Sequence, residues 1–402
     1  MMRFRNHLKT LVASIHSKPQ AWPEENLSLA TKDRGGYYSP SSRATLHARY
    51  TILRKLGWGQ HSNVWLAKDR QMSMWLSRFS QHTRQRCRGK LHARERSWRK
   101  SNSKDPVQNI RALPMFLACA IILILLALNH GNHLCLVTDV LGSTLLSLRD
   151  QLGGGGFPTR LVKKIASQCL LALDFLHSEC EVTHTDLKLD NIHISSLSVT
   201  EALKQEKSVP DTIDSQEPVI SRPIATITPD EAKDPGTNIQ VKLTDFGTAA
   251  FFNGTHADVI QPVALRAPEV IIGCGWDQRA DIWNLGCLVF ELLTGRWLFN
   301  PRAGESYSPE AYHLAHMAPL VDSDFDPSFV RRGRKYDEYF FENGELRLRA
   351  NGAKNIEAIL GIYNIDESEL PLCASFLRAM LRLNPVERER AKELLQHEWL
   401  KI

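Results

Sequence analysis

The sequence predicts an α+β fold in two lobes, a small β-rich lobe followed by a larger, mainly helical one. Two runs of strand-like composition, Tyr50-Thr51-Ile52-Leu53 and Ser62-Asn63-Val64-Trp65-Leu66, flank Gly57-Trp58-Gly59 near the start. Apolar residues at helical spacing fill Arg160–His177 and dominate from Asp281 to the end. Between these helical regions lies a polar loop, His184–Asn191, followed by the strand-like run Ile192–Ile194. The expected organisation is an N-terminal arm over 1–49, a first lobe over 50–141 and a second over 142–402, with a disordered insert at about 195–240.

Composition bounds the class. The 402 residues are 43% hydrophobic and 23% charged, which is globular usage. A formal charge of +6 is modest for this length and does not argue for a nucleic-acid partner. The eight cysteines are scattered with no Cys-x-x-Cys pair. They read as reduced, buried thiols rather than a disulfide framework or a zinc site. Met1–Gln20 is basic and offers no secretory signal. It reads as a disordered basic tail, being poorer in Ser and Arg than a mitochondrial presequence.

Along the chain, Gly35-Gly36-Tyr37-Tyr38-Ser39-Pro40 is a turn signal before the fold starts. The hairpin around Gly57 and Gly59 is one in which small residues let backbone N–H groups approach phosphates. Its ordinary alternative is a plain hairpin turn. Residues 71–111 are crowded with Arg and Lys and show no apolar period. Ala112–Leu128 is almost wholly apolar but at the short edge of the roughly 20 residues that a membrane span needs, so no membrane is expected. Leu134–Leu141 reads as a buried strand ending at Gly142. Leu161, Ile165, Cys169, Leu173 and Leu176 mark an amphipathic helix. Ser195–Gln240 is polar and reads as an inserted, poorly ordered loop. Ile282, Leu285, Leu288, Val289 and Leu292 mark a buried helix, and Phe376, Met380, Leu383, Leu394, Leu395 and Trp399 mark the last ones.

The loop residues carry chemistry. His184-Thr185-Asp186-Leu187-Lys188-Leu189-Asp190-Asn191 and Asp245-Phe246-Gly247 supply the polar groups that phosphoryl transfer from a metal–nucleotide needs. Asp186 is the candidate catalytic base, taking the proton of an attacking hydroxyl. Lys188 can neutralise the charge that develops on the γ-phosphate. Asn191 and Asp245 offer one neutral and one charged oxygen to Mg²⁺. Glu269, in Ala267-Pro268-Glu269, is expected to pair with Arg388. The bland version of that pair is a surface contact worth little. Asp281 can cap its helix, hold the backbone of the catalytic loop, or both.

These residues resemble a eukaryotic protein kinase, and within that superfamily the SR-protein-specific kinases. The resemblance rests on Leu56-Gly57-Trp58-Gly59-Gln60-His61-Ser62-Asn63-Val64-Trp65-Leu66-Ala67, Leu136-Val137-Thr138-Asp139-Val140-Leu141-Gly142 and His184–Lys188, where Thr185 stands for the usual Arg. It covers 50–70 and 131–401. It implies a bilobal kinase fold and ATP and Mg²⁺ as cofactors, with Leu56, Gly57, Gly59, Val64, Asp139 and Leu141 around the nucleotide. It further implies a monomer in cytoplasm and nucleus that phosphorylates serines in Arg-Ser-rich splicing factors, with no direct contact to nucleic acid. The Arg that Thr185 replaces receives an activating phosphate, so its absence fits an enzyme that needs none. An Arg-rich substrate calls for an acidic groove, for which Asp322, Asp324, Asp326, Asp337, Glu338 and Glu342 are available.

The pattern also departs from a kinase. A strand Lys should hold the α/β-phosphates and a helix Glu should pair with it. No Lys occurs between Lys68 and Lys90, and Arg78 is the cation of the expected stretch, Met74–Gln81. Arg is a poor stand-in for a compact ammonium. Glu95 is the candidate helix Glu, followed by Arg96–Lys100 without an apolar face. Family-like sequence stops near Gln71 and resumes at Gly131, so residues 71–130 read as an aberrant stretch, translated out of frame or from a retained intron. The alternative function is a catalytically impaired pseudokinase or scaffold.

Overall fold

The computed structural model describes residues 37, 40, 44–46, 48–59, 62–70, 75–80, 123–128, 131–138, 140–195, 220–224, 227–234, 239–254, 256–350, 352–363 and 365–401. The N-terminal lobe is one antiparallel sheet of β1 (Thr45–Leu46), β2 (Tyr50–Gly59), β3 (Ser62–Asp69), β4 (Trp75–Ser80), β5 (Leu123–Leu128) and β6 (Gly131–Thr138) in the order β1-β2-β3-β4-β6-β5. Period-two alternation decides its buried face. Tyr50 and Ile52 from β2, Trp65 and Ala67 from β3 and Cys135 and Val137 from β6 form one small core with Leu46.

Two strands come from the stretch expected to break the pattern. β4 lies between β3 and β6, with Arg78 opposite Val64 on one side and Leu136 on the other. β5 is the end of the apolar run and pairs as a hairpin with β6, from Leu128 opposite Gly131 to Leu123 opposite Leu136. A short apolar run suits a strand as well as a helix, and here a neighbouring strand supplies the backbone partners. Among the described residues no helix is long and apolar enough to cross a membrane.

The hinge between lobes is locked to the catalytic region by backbone pairing. Gly142 N donates to Ile194 O at 2.8 Å and Ile194 N to Ser143 O at 2.9 Å. Thr144 then caps α1 (Leu145–Gln151), its hydroxyl accepting from Ser147 N at 3.0 Å. In α2 (Thr159–Ser178) the five apolar positions marked in the sequence are all buried. Within the insert, α3 (Pro229–Lys233) is a short helix closed by a full capping box between Thr228 and Glu231. Ile224 is 5% exposed and packs with Leu66, Leu53, Leu56 and Val140. Arg222 N donates to Lys55 O, and Ser143 Oγ to Ile224 O. The expected disordered loop therefore contains a strap that touches both the first lobe and the hinge.

The helical lobe is built around α5 (Arg279–Thr294), which follows α4 (Pro268–Ile272). Every residue from Ala280 to Thr294 is buried. A helix buried all round belongs in the centre of a domain. It ends at Gly295, whose φ of 71° is left-handed. Burial holds the thiols of Cys169 and Cys373 up at about 12, so they stay protonated, as the scattered cysteine pattern suggests.

Candidate active site

Local pairing brings the motif residues together. β8 (Ile192–Ile194) pairs antiparallel with β9 (Val241–Leu243), with Ile192 opposite Leu243; β7 (Val182–Thr183) precedes them. That register puts Asn191 beside Thr244, whose N and Oγ1 both donate to Asn191 O. Asp245 is the next residue and takes a left-handed φ of 61°. Two oxygen-bearing side chains far apart in sequence are thus made neighbours by three strand pairs.

Asp281 organises the catalytic loop from beneath. Its carboxylate accepts from His184 N at 2.7 Å, Thr185 N at 2.9 Å and His177 Nε2 at 2.9 Å, and it is fully buried. It lies inside the first turn of α5, whose cap position is Gln278, so the backbone-holding role is the one it takes. Thr185 has a φ of 71°, a strained conformation for a β-branched residue. Its hydroxyl donates to the O and Oγ1 of Thr248, each at 3.0 Å. His184 Nε2 faces Thr244 O at 2.9 Å while its Nδ1 faces Asp186 N at 3.3 Å. The ring therefore donates through Nε2 and accepts through Nδ1.

Asp186 is half-buried at the surface this creates. Lys188 Nζ lies 2.9 Å from its Oδ2, and Asn191 Nδ2 donates to its backbone O at 2.8 Å and to Oδ2 at 3.1 Å. Holding the amide nitrogen against Asp186 leaves the Asn191 side-chain oxygen as the group to offer a cation. Asn191 and Asp245 can supply two oxygens to a hard cation that takes its remaining ligands from phosphates and water. Among the described residues no group of three His, Cys, Asp or Glu is placed to hold a metal. The two-ligand pair fits Mg²⁺ arriving with its nucleotide, and when bound the ion would neutralise phosphate charge.

In the first lobe, Leu56, Gly57 and Gly59 lie along the end of β2, with Gly57 in register with Val64 on β3. A Cβ built on Gly57 or Gly59 meets nothing within 4 Å, so a phosphate can approach the backbone there. Leu141 is half-buried beside the hinge. Asp139, Glu95, Gln60 and His61 lie outside the described residues. Glu269 and Arg388 meet in a buried two-pronged ion pair, both contacts at 2.6 Å. Of the acidic set, Asp322 pairs with Arg378 and Asp326 caps the short helix Pro327–Val330, whereas Asp324, Asp337, Glu338 and Glu342 are exposed. Sequence reasoning missed Tyr37, Thr248 and Ile224. Each acts through a partner far along the chain, and no local signal marks it.

Comparison with known families matches residues 50–400 to the protein kinase domain. The chain belongs to the protein kinase family. This kinase is 30% identical to the serine/threonine-protein kinase SRPK of Physarum polycephalum over 393 residues, covering 91% of this chain and 89% of that one. It is 27% identical to protein kinase dsk1 of Schizosaccharomyces pombe, covering 88% and 81%. Against SRSF protein kinase 3 of Mus musculus the identity is 24%, with 91% and 89% covered. The crystal structure of a kinase domain superposes with a TM-score of 0.66 at 24% identity, covering 91% of this chain and 99% of that one, which establishes the bilobal fold. The protein is a serine/threonine kinase of the SRPK type.

Proposed function

We propose that this kinase transfers the γ-phosphate of Mg-ATP to serines in Arg-Ser-rich splicing proteins. The arrangement that carries the catalytic half is the Asp186 carboxylate, held by Lys188 and Asn191 within reach of an incoming hydroxyl. Asp186 takes the hydroxyl proton, Lys188 meets charge on the transferring group, and Asn191 with Asp245 positions the metal. The substrate half is supported by the relative named SRSF protein kinase 3 and by the exposed acids Asp324, Asp337, Glu338 and Glu342, which suit a cationic peptide. We further propose a monomer in cytoplasm and nucleus, to be checked by light scattering and by imaging the tagged chain.

The test compares the purified chain with Asp186→Asn on an Arg-Ser repeat peptide and on the same peptide with Ala for Arg. The wild type is expected to label only the first, and Asp186→Asn to lose activity by about 100-fold or more. Equal labelling by wild type and variant sinks catalysis by this site. Equal labelling of both peptides sinks the substrate while leaving the kinase. A chain that labels neither is the scaffold of the alternative reading.

A further inference from the structure

The Gly-rich segment has a partner outside the nucleotide-binding strands. Tyr37 belongs to the arm that precedes the sheet, in a run whose composition signals only a turn. Its side chain is nonetheless buried, at 6% exposure. The phenol donates to the carbonyl of Gly59 at 2.9 Å. The ring meets Trp58 edge to face, with centroids 5.9 Å apart and planes at 86°. Both contacts fall on the two residues that follow Gly57. The arm is itself fixed just downstream, where Ile52 N donates to Ala44 O and β1 pairs with β2. Tyr37 is therefore held on the sheet that carries the Gly-rich segment and moves with it.

Apart from Tyr37, the segment is held by its pairing with β3, Gly57 opposite Val64 and Gly59 opposite Ser62, at the end of the hairpin. Gly57 and Gly59 carry no side chain, the space a Cβ would fill is open, and Trp58 is 37% exposed. Glycine sets few limits on backbone conformation, so a Gly-x-Gly run samples many arrangements of its N–H groups. Binding phosphate through those groups requires one arrangement, and affinity falls with the fraction of time it is absent. A hydrogen bond to the carbonyl of Gly59 orients the peptide unit that follows it. An edge-to-face ring contact holds the neighbouring Trp58.

We propose that Tyr37 is a positioning residue for the nucleotide, bracing Gly57–Gly59 in the conformation that receives phosphate. It touches neither the reacting atoms nor the nucleotide. The proposal rests on the reading of this lobe as the nucleotide site. It predicts that the phenol oxygen matters for nucleotide affinity and not for the chemical step. One hydrogen bond of this kind corresponds to about 3- to 10-fold in an equilibrium.

The experiment compares the full chain with Tyr37→Phe, which keeps the ring and the fold and removes only the hydroxyl. Amide exchange at Gly57–Gly59 without nucleotide reports on the brace. Titration with Mg-ADP reports on affinity without needing catalysis. Expected are faster exchange at Gly57–Gly59 and Mg-ADP binding weakened about 3- to 10-fold. The KM for ATP should rise by the same factor, with kcat at saturating ATP within about two-fold and a melting temperature lowered by no more than about 4 °C. Equal exchange in the two proteins overturns the brace. Faster exchange with unchanged Mg-ADP affinity overturns its role in binding. Wild type that fails to bind Mg-ADP indicts the nucleotide site itself, and the proposal falls with it.

Discussion

At the scale of single residues, buried charge is the sharpest constraint in this molecule. The side chains of Arg388 and Glu269 are fully buried, and an unpaired charge at that depth is costly. The guanidinium meets that cost with every face. Two nitrogens reach the Glu269 carboxylate, Nε donates to Arg382 O at 2.8 Å, Nη1 also donates to Arg279 O at 3.1 Å, and the plane lies 5.0 Å over Trp283. The pair fastens α4, the start of α5 and the C-terminal segment together. Removing one partner strands the other charge, whereas removing both strands none. Arg388→Met is expected to lower unfolding stability by roughly 3–5 kcal/mol, and the Glu269→Met/Arg388→Met double variant by clearly less. Urea denaturation measures both. A single variant that loses under about 1 kcal/mol would show the pair to be an ordinary surface contact. The identity of the partners was legible in the sequence, because Ala-Pro-Glu and a late Arg stand in recognisable order. Their burial was not, since it depends on three segments closing over them.

At the scale of elements, what the sequence made readable was periodic, and what it hid was contact between backbones. The helix over Arg160–His177 shows its 3.6-residue stripe and is found at Thr159–Ser178. β4 shows no period of two and forms only because β3 and β6 flank it. The Ile224 strap is a handful of residues in a polar insert, recognisable only once Leu66 and Val140 are in place. The four glycines at 153–156 illustrate the same limit, because composition alone says flexible linker. In the structure they let the loop before α2 lie directly on the end of α5. Phe157 N donates to Leu292 O at 2.6 Å, and a Cβ on Gly156 would stand 1.9 Å from Leu293 O. Neither side of that contact is a side chain that can swing away. Gly155 has open space at the same position and no left-handed φ. Gly156→Ala should therefore destabilise by about 1–3 kcal/mol or more, while Gly155→Ala stays within about 0.5 kcal/mol. Thermal melts of the two variants decide it. Equal behaviour would mean that the loop is not seated on α5.

For the whole molecule, the decisive question is what keeps the catalytic loop and the segment after Asp245 in register. Most protein kinase machinery was legible here because each piece is a short motif, but how the pieces are tied was not, because the ties run across the lobe. Thr185 bonds Thr248 from within the catalytic loop. Further along, His256 stacks on Trp276 at 4.4 Å, and Gln261, with a left-handed φ of 70°, bonds Ala280 O, Asn284 Oδ1 and Ala267 N through its side chain. Asp258 pairs with Arg334, an exposed contact that adds little. Apart from that ion pair, these are neutral hydrogen bonds and ring contacts where an Arg in place of Thr185 would instead need an anion to meet it. A phosphate on this segment would find no guanidinium at position 185 to reward it. Phosphatase treatment of the purified kinase should then leave kcat within about two-fold. Thr185→Ala, which removes both hydroxyl contacts, should lower it by about 3- to 10-fold, the worth of one or two hydrogen bonds. A large loss on dephosphorylation, with Thr185→Ala indistinguishable from wild type, would place control of the segment elsewhere. The Thr185–Thr248 bond would then be a consequence of the ordered segment and not a cause of it.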